Sequence, residues 1–195
     1  MERFVERTFF MIKPDGVKRG LTGDCIARIE RVGLKVVAMK MVQPTRAQAD
    51  RHYPSEKEDK RWFIEVAAKA KKGYREKGVE WKFDDMEYSR LIKSFLVDYL
   101  TTGPVVVMVI EGPNVIKMVR KISGDTEPRQ APPGTIRGDY TVDSYDMANA
   151  LDRALKNVVH ASSSKADAEK EIRVWFKEEE ILKLERVDEG LLFGK

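Results

Sequence analysis

Two apolar runs constrain this chain most: Thr8 to Lys13 (TFFMIK) and Val105 to Ile110 (VVVMVI) are both of strand length and rich in branched or aromatic residues. Turn residues bound them, Pro14-Asp15-Gly16 after the first and Gly103-Pro104 before the second, so both are expected as strands of one sheet. The second is expected to be buried. Lys13 then stands at a strand end, a place from which a side chain can reach a site.

The segments around these runs alternate in type. Asp24 to Val32 has helical spacing, with Ile26 and Ile29 inward and Gly33 as a stop, and Leu34 to Val42 is a third strand. Thr45 to His52 is a short helix closed by Tyr53-Pro54. A charged stretch follows from Ser55 to Lys82, broken by Gly73 and Gly78. Tyr88, Leu91, Ile92, Phe95, Leu96 and Tyr99 restore a helical stripe, and Asn114 to Ile122 forms another helix. Ser123 to Tyr140 is expected to be long and irregular, the kind of loop that is usually functional. Leu151, Ala154, Leu155 and Val158 repeat the helical spacing before a short strand carrying His160, and Lys165 to Phe176 is the last helix. Residues 177–195 form a charged tail. The mixture predicts an antiparallel α/β sandwich with helices on one face.

At 195 residues, 42% apolar and 35% charged, the chain is expected to be one globular domain, 1–195. Thirty-six basic residues against 32 acidic ones leave +4, a mild excess that suits polyanionic small molecules without requiring nucleic acid. Cys25 is the only cysteine, so no intramolecular disulfide is possible and a reducing cytoplasm is expected. Neither export nor membrane insertion is expected from the sequence.

The chemistry-bearing segment is Asn157-Val158-Val159-His160-Ala161-Ser162, with Glu171 eleven residues beyond His160. Ala168, Glu171, Ile172 and Trp175 fall at i, i+3, i+4 and i+7, so Glu171 shares the apolar stripe of its helix and needs a partner there. Ser164-Lys165-Ala166-Asp167 has the form of a capping box, which starts that helix just past His160. Glu171 can then point back at the imidazole, accept one ring N–H and fix the tautomer, leaving the other nitrogen free to attack. A hydrogen-bonded structural pair fits the same residues. Lys13, Arg120, Thr126 and Arg137 are candidates to hold phosphates, although each also reads as an ordinary surface or turn residue. No Walker-type loop and no protein-kinase motif set occurs.

Lys13-Pro14-Asp15-Gly16, His52-Tyr53, Gly103-Pro104-Val105-Val106, Pro133-Gly134-Thr135-Ile136-Arg137-Gly138-Asp139 and Asn157-Val158-Val159-His160 resemble, in order, the nucleoside diphosphate kinase family. The likeness runs from about Arg7 to Phe176. It implies a ferredoxin-like β-α-β-β-α-β sandwich of the α+β kind, homo-oligomeric and commonly hexameric, acting on nucleoside di- and triphosphates with Mg2+. It further implies that His160 takes a γ-phosphoryl group on Nδ1, that Glu171 holds the opposite nitrogen, and that Ser162 supports them. Lys13 and Tyr53 would lie near the transferred phosphate, Arg120, Thr126 and Arg137 would clasp the phosphate chain, and Asn157 with Lys13 would bind the sugar hydroxyl. Magnesium would be held mainly by the nucleotide, so no protein metal ligand is implied.

The sequence departs from that pattern in three places. Insertions are expected at about 56–90 and 142–153, the second with an added helix, and the first leaves Trp62 and Phe63 as alternatives for the aromatic that stacks on the base. The family's His-Gly-Ser-Asp stands here as His160-Ala161-Ser162-Ser163. Two other classes stay open on the sequence alone: a nucleotide-sensing module without transfer activity, and a nucleic-acid binder on a ferredoxin-like sheet.

Overall fold

The structure, a computed structural model, describes residues 5–76 and 78–193. Four strands, β1 (Val5–Ile12), β2 (Lys35–Val42), β3 (Val105–Pro113) and β4 (Val159–Ala161), form one sheet in the order β2-β3-β1-β4. Every neighbouring pair is antiparallel. This is the order a ferredoxin-like sandwich requires, and the two apolar runs are its two central strands.

Side chains alternate across a strand, so each central strand feeds two cores. Phe10 and Ile12 of β1, with Val106, Met108 and Ile110 of β3, face α2 (Thr22–Glu30) and α6 (Val115–Ser123), whose Cys25, Ile29, Val115 and Val119 complete the cluster. These are the helices expected on one face. Phe9 and Met11, with Val105, Val107 and Val109, point the other way. That face is also covered, by α3 (Arg46–His52), α5 (Asp85–Thr101) and α9 (Lys165–Trp175), through Ala49, Val97, Leu100 and Trp175. The reason is already in the strands: Phe9 to Ile12 and Val105 to Ile110 have no solvated face to offer, and each residue is at most 3% exposed.

Several local expectations need correction. Pro14-Asp15-Gly16 is the first turn of a short helix, α1 (Pro14–Lys18), because proline at the first helical position loses no hydrogen bond. Gly73 does not break the charged stretch: α4 (Lys60–Glu76) runs through it near its end, where the missing side chain faces open space. A helix over Leu151 to Val158 does not form. Ser144 caps α8 (Tyr145–Ala150) by accepting from Met147 N, and Leu151 is already its C-terminal cap, with Asp152 at φ +44 closing the turn. The loop from Ser123 holds a 3-10 turn at Pro128–Gln130 and α7 (Ile136–Tyr140), capped by Thr135.

Residues 56–90, expected as the first insertion, hold α4 and the start of α5 (Asp85–Thr101). Asp84 accepts from Met86 N and Glu87 N, a cap contributing about 1 kcal/mol. Tyr74, Trp81, Phe83 and Tyr88 pack edge to face beside it, with centroids from 4.8 to 6.0 Å apart. Beyond a 3-10 turn at Glu178–Glu180, the tail passes a bulge in β2, where Leu182 N donates to Val37 O at 2.9 Å, and ends in α10 (Glu189–Phe193). Among the described residues no helix is long and apolar enough to cross a membrane.

Candidate active site

The site lies where β1 and β4 meet. Met11 pairs with His160 across the ladder, so Lys13, just past the end of β1, sits beside the turn that leads into β4. That turn is unusual. Val158 is left-handed at φ +66, and Val159 N donates to Asn157 O at 2.7 Å, closing a three-residue γ-turn. A branched residue there is strained, and its surroundings hold it from both sides. Lys13 N donates to Val158 O at 2.8 Å, while Asp15 Oδ2 accepts from Val158 N at 3.2 Å. Tyr99 of α5 donates its hydroxyl to Asp15 Oδ1. Residue 16 must be glycine for the same packing: a Cβ would stand 2.8 Å from Ile12 Cγ2 and 3.0 Å from Val158 Cγ1.

His160 meets Glu171 as its spacing on the helical stripe implied. Glu171 Oε1 lies 2.9 Å from His160 Nε2, and Ser162 Oγ donates to Glu171 Oε2 at 2.6 Å. Ser162 also accepts from Phe9 N at 3.2 Å, so the acid is fixed to β1 through a fully buried hydroxyl. Ser164 caps α9 by accepting from Asp167 N, which sets the helix phase that brings Glu171 to the strand. Ser163, where the family has an acid, donates to the Asp167 carboxylate. With Glu171 on Nε2, the His160 Nδ1 side is the one left open; the side chain is 23% exposed.

The phosphate candidates converge unequally. Lys13 Nζ donates to Asn157 Oδ1 at 2.7 Å, and Asn157 Nδ2 donates to Thr126 O at 2.8 Å, so these three expected residues form one buried-to-exposed chain. Arg120 and Thr126 are exposed. Arg137 is not a free fork: its guanidinium is buried and donates to the carbonyls of Asn157, Gly124, Asp125 and Val159. It therefore ties the loop from Ser123 to β4 while bringing its charge to the site. Tyr53 is buried with its hydroxyl unpartnered. Phe63 is 2% exposed and belongs to the core, whereas Trp62 is half-buried with its ring 6.5 Å from that of Tyr53.

Burial sets the electrostatics. It lowers the Lys13 pKa to about 7, helped by the Arg137 charge and opposed by Asp15. It lowers His160 to about 3, with Lys13, Arg137 and Arg120 adding to the effect, so the ring is neutral at neutral pH. It raises Glu171 to about 7, against the pull of His52 and Ser162. Arg137 falls to about 10 by burial and the nearby Arg120, and remains charged.

The residue that motif reading left without a role is His52. It is quoted with Tyr53 in the sequence, but only the fold sets its ring edge-on to His160, centroids 4.5 Å apart. One ring nitrogen of each histidine and a Glu171 oxygen lie within 4.8 Å of one another. Two nitrogens and one oxygen are the wrong donors for magnesium, a hard cation that takes oxygen.

Comparison with known proteins agrees with this geometry. The nucleoside diphosphate kinase family model matches residues 6–74 and 83–181, and the unmatched stretch 75–82 begins at the last two residues of α4 and stops short of α5. A nucleoside diphosphate kinase of Pyrobaculum aerophilum is 48% identical over 183 residues, covering 91% of this chain and 98% of that one. The crystal structure of an NDP kinase from the same organism superposes with a TM-score of 0.86 at 46% identity, over 92% of this chain and 100% of the other. A transition-state mimic of the Borrelia burgdorferi enzyme, with vanadate and ADP bound, gives 0.80 at 36% identity over 97% of each chain. With this sheet order, this imidazole–carboxylate pair and these relatives, the chain belongs to the nucleoside diphosphate kinase family, enzymes that move the γ-phosphoryl group of a nucleoside triphosphate to a nucleoside diphosphate.

Proposed function

We propose that His160 carries the phosphoryl group between the two nucleotides, on Nδ1. The observation that carries this reading is the 2.9 Å contact between Glu171 Oε1 and His160 Nε2: an ionised Glu171 accepts the ring proton from Nε2, and the Nδ1 lone pair is then free. That lone pair attacks the γ-phosphorus as the bond to the bridging oxygen breaks, and the nucleoside diphosphate leaves with the electron pair. As the ring gains positive charge, Glu171 compensates it through Nε2. A second diphosphate then attacks phosphorus from the same side and takes the group away, restoring neutral His160.

Lys13, Arg120 and Arg137 supply positive charge where the phosphate oxygens gather, which lowers the barrier by fixed electrostatics rather than by bond chemistry. Lys13, shared with Asn157, also suits the sugar hydroxyl; Thr126 is exposed, with its carbonyl held by Asn157; Tyr53 offers a hydroxyl that has no hydrogen-bond partner among the described residues to the transferred group. Trp62 is the aromatic suited to stack on the base, since Phe63 is buried in the core. The substrate is the magnesium complex of the nucleotide, whose own phosphates supply oxygen ligands that the protein cluster lacks.

The whole chain serves as one catalytic domain, and the additions at about 56–90 and 142–153 and the tail 177–195 belong to it. It works as a homo-oligomer, for which a hexamer is the favoured form. The support is β2, an edge strand that among the described strands pairs with β3 alone, and whose Met39 and Met41 are 55% and 61% exposed. A cytoplasmic setting fits Cys25, whose burial pushes its thiol up to about 12 and keeps it unreactive. Incubation with γ-labelled ATP followed by digestion tests the central claim. An acid-labile label on the His160 peptide is expected, and its absence from folded protein refutes the reading.

A further inference from the structure

We infer that His52 is a positioning residue for this transfer: its buried imidazole, edge-on to His160, helps hold Glu171 ionised and so keeps the His160 proton on Nε2. The inference rests on His160 being the phosphoryl carrier.

His52 closes α3 and is 3% exposed. Trp175 Nε1 donates to its Nδ1 at 3.3 Å, so a neutral ring must carry its proton on Nε2. Burial, aided by the neighbouring His160 ring and the charges of Lys13 and Lys170 and opposed by Glu171, holds the ring neutral by lowering its pKa to about 3. Nε2 nevertheless has no hydrogen-bond partner among the described residues. A buried donor without an acceptor is costly, and the site does not need one for packing. Phe9 and Trp175 surround the ring at 5.5 and 5.9 Å, and His160 and Tyr53 at 4.5 and 4.9 Å, a cage that phenylalanine would fill as well. What imidazole adds is a polar N–H within a few ångströms of a buried carboxylate.

That carboxylate is close to losing its charge. Burial raises Glu171 to about 7, and Asp167 on its own helix pushes the same way; Ser162 from the end of β4 and Lys170 from α9 oppose it, and His52 from α3, neutral near pH 7, opposes it only through its Nε2–H dipole. The proton's position decides reactivity. A protonated Glu171 donates to Nε2, the single proton of the neutral ring must then sit on Nδ1, and no lone pair faces phosphorus. His52 and Ser162 thus act on one acid from two sides, and only Ser162 has a direct bond to it.

The test compares the parent protein with His52→Phe and His52→Gln by rapid-quench labelling of His160 from γ-labelled ATP across pH 5.5–9. His52→Phe is expected to slow labelling about threefold near neutrality, less than the roughly tenfold of a full hydrogen bond, because no direct bond joins His52 to Glu171. Its acid limb should move to higher pH, with nucleotide affinity unchanged and Tm equal or raised. His52→Gln, which keeps an N–H, should restore part of the rate. An unmoved rate and acid limb in His52→Phe overturn the inference, as does a slower rate with an unmoved limb and a lowered Tm, the mark of a packing role. Should neither variant fold, 15N-histidine NMR of the parent decides, because the chain has two histidines. A neutral His52 with its proton on Nε2 at pH 7 supports the inference; a charged ring or an Nδ1 proton overturns it. Failure of the parent to label at His160 would refute the proposed function, a different result.

Discussion

Removing the Ser162 hydroxyl isolates how much of the reaction depends on the charge of Glu171. Ser162→Ala deletes the 2.6 Å bond to Glu171 Oε2 without touching the 2.9 Å contact to His160. A hydrogen bond to a charged group contributes about 1.5–3 kcal/mol, which corresponds to about one to two pH units on the acid it stabilises. Burial already holds Glu171 at about 7. The variant should therefore titrate about one to two units higher, and the ionised fraction at pH 7 should fall roughly five- to fiftyfold. The sign follows from the mechanism: ionised Glu171 is the active form, so activity is lost on the acid side and recovered as pH rises. Single-turnover labelling of His160 at saturating nucleotide measures this directly, because bound phosphate keeps Lys13 charged through the alkaline range. Phe9 N also loses its acceptor, costing about 1–3 kcal/mol and about 2–4 °C of Tm per kcal/mol in a chain of this size. If the variant's acid limb coincides with the parent's, or its loss at pH 7 persists at pH 9, the argument that Ser162 holds Glu171 ionised is wrong.

Four further outcomes are expected. His160→Ala should retain the circular dichroism of the parent and incorporate no acid-labile label; a residual label would place the carrier elsewhere. Lys13→Met should raise Tm by removing a desolvated amine whose pKa burial has lowered to about 7, yet should abolish most activity; a lower Tm would show that the bond to Asn157 outweighs desolvation. In the free enzyme, kcat/KM should peak narrowly near pH 7, since Glu171 must be ionised and Lys13 charged, and both titrate near 7; a plateau from pH 6 to 9 would contradict the pair. Met39→Lys together with Met41→Lys should reduce the assembly size in light scattering, and an unchanged mass would move the subunit contact away from the β2 edge.

How far the sequence sufficed depended on whether a feature was local. Phe9 to Ile12 and Val105 to Ile110 are legible as strands because period and turn residues lie within a few positions, and the phase of α9, set by Ser164, carried Glu171 correctly to His160. The helix expected over Leu151 to Val158 failed because apolar spacing ignores the left-handed turn at Asp152 and the cap at Ser144. Covering of the second sheet face was written in the same strands, but which helices would cover it, α3, α5 and α9, was not. Arg137 illustrates the limit within the site: its residue type suggested a phosphate fork, while the fold gives its N–H groups to four backbone carbonyls. His52 and Asp15 are tied into the site by contacts that span more than a hundred residues, to Trp175 and to Val158 N.

Those long spans give the site a position in time. Lys13 meets Asn157 across 144 residues, Phe9 meets Ser162 across 153, and His52 meets Trp175 across 123. A growing chain emerges from its N-terminus, so the lysine and both central strands exist well before β4 and α9 can close on them. The first three strands can assemble and bury most of the core while the reactive imidazole is still unmade. Competence then comes with the docking of a three-residue strand and one helix, and in refolding the return of phosphotransfer should lag the return of sheet and helix signals by that final step.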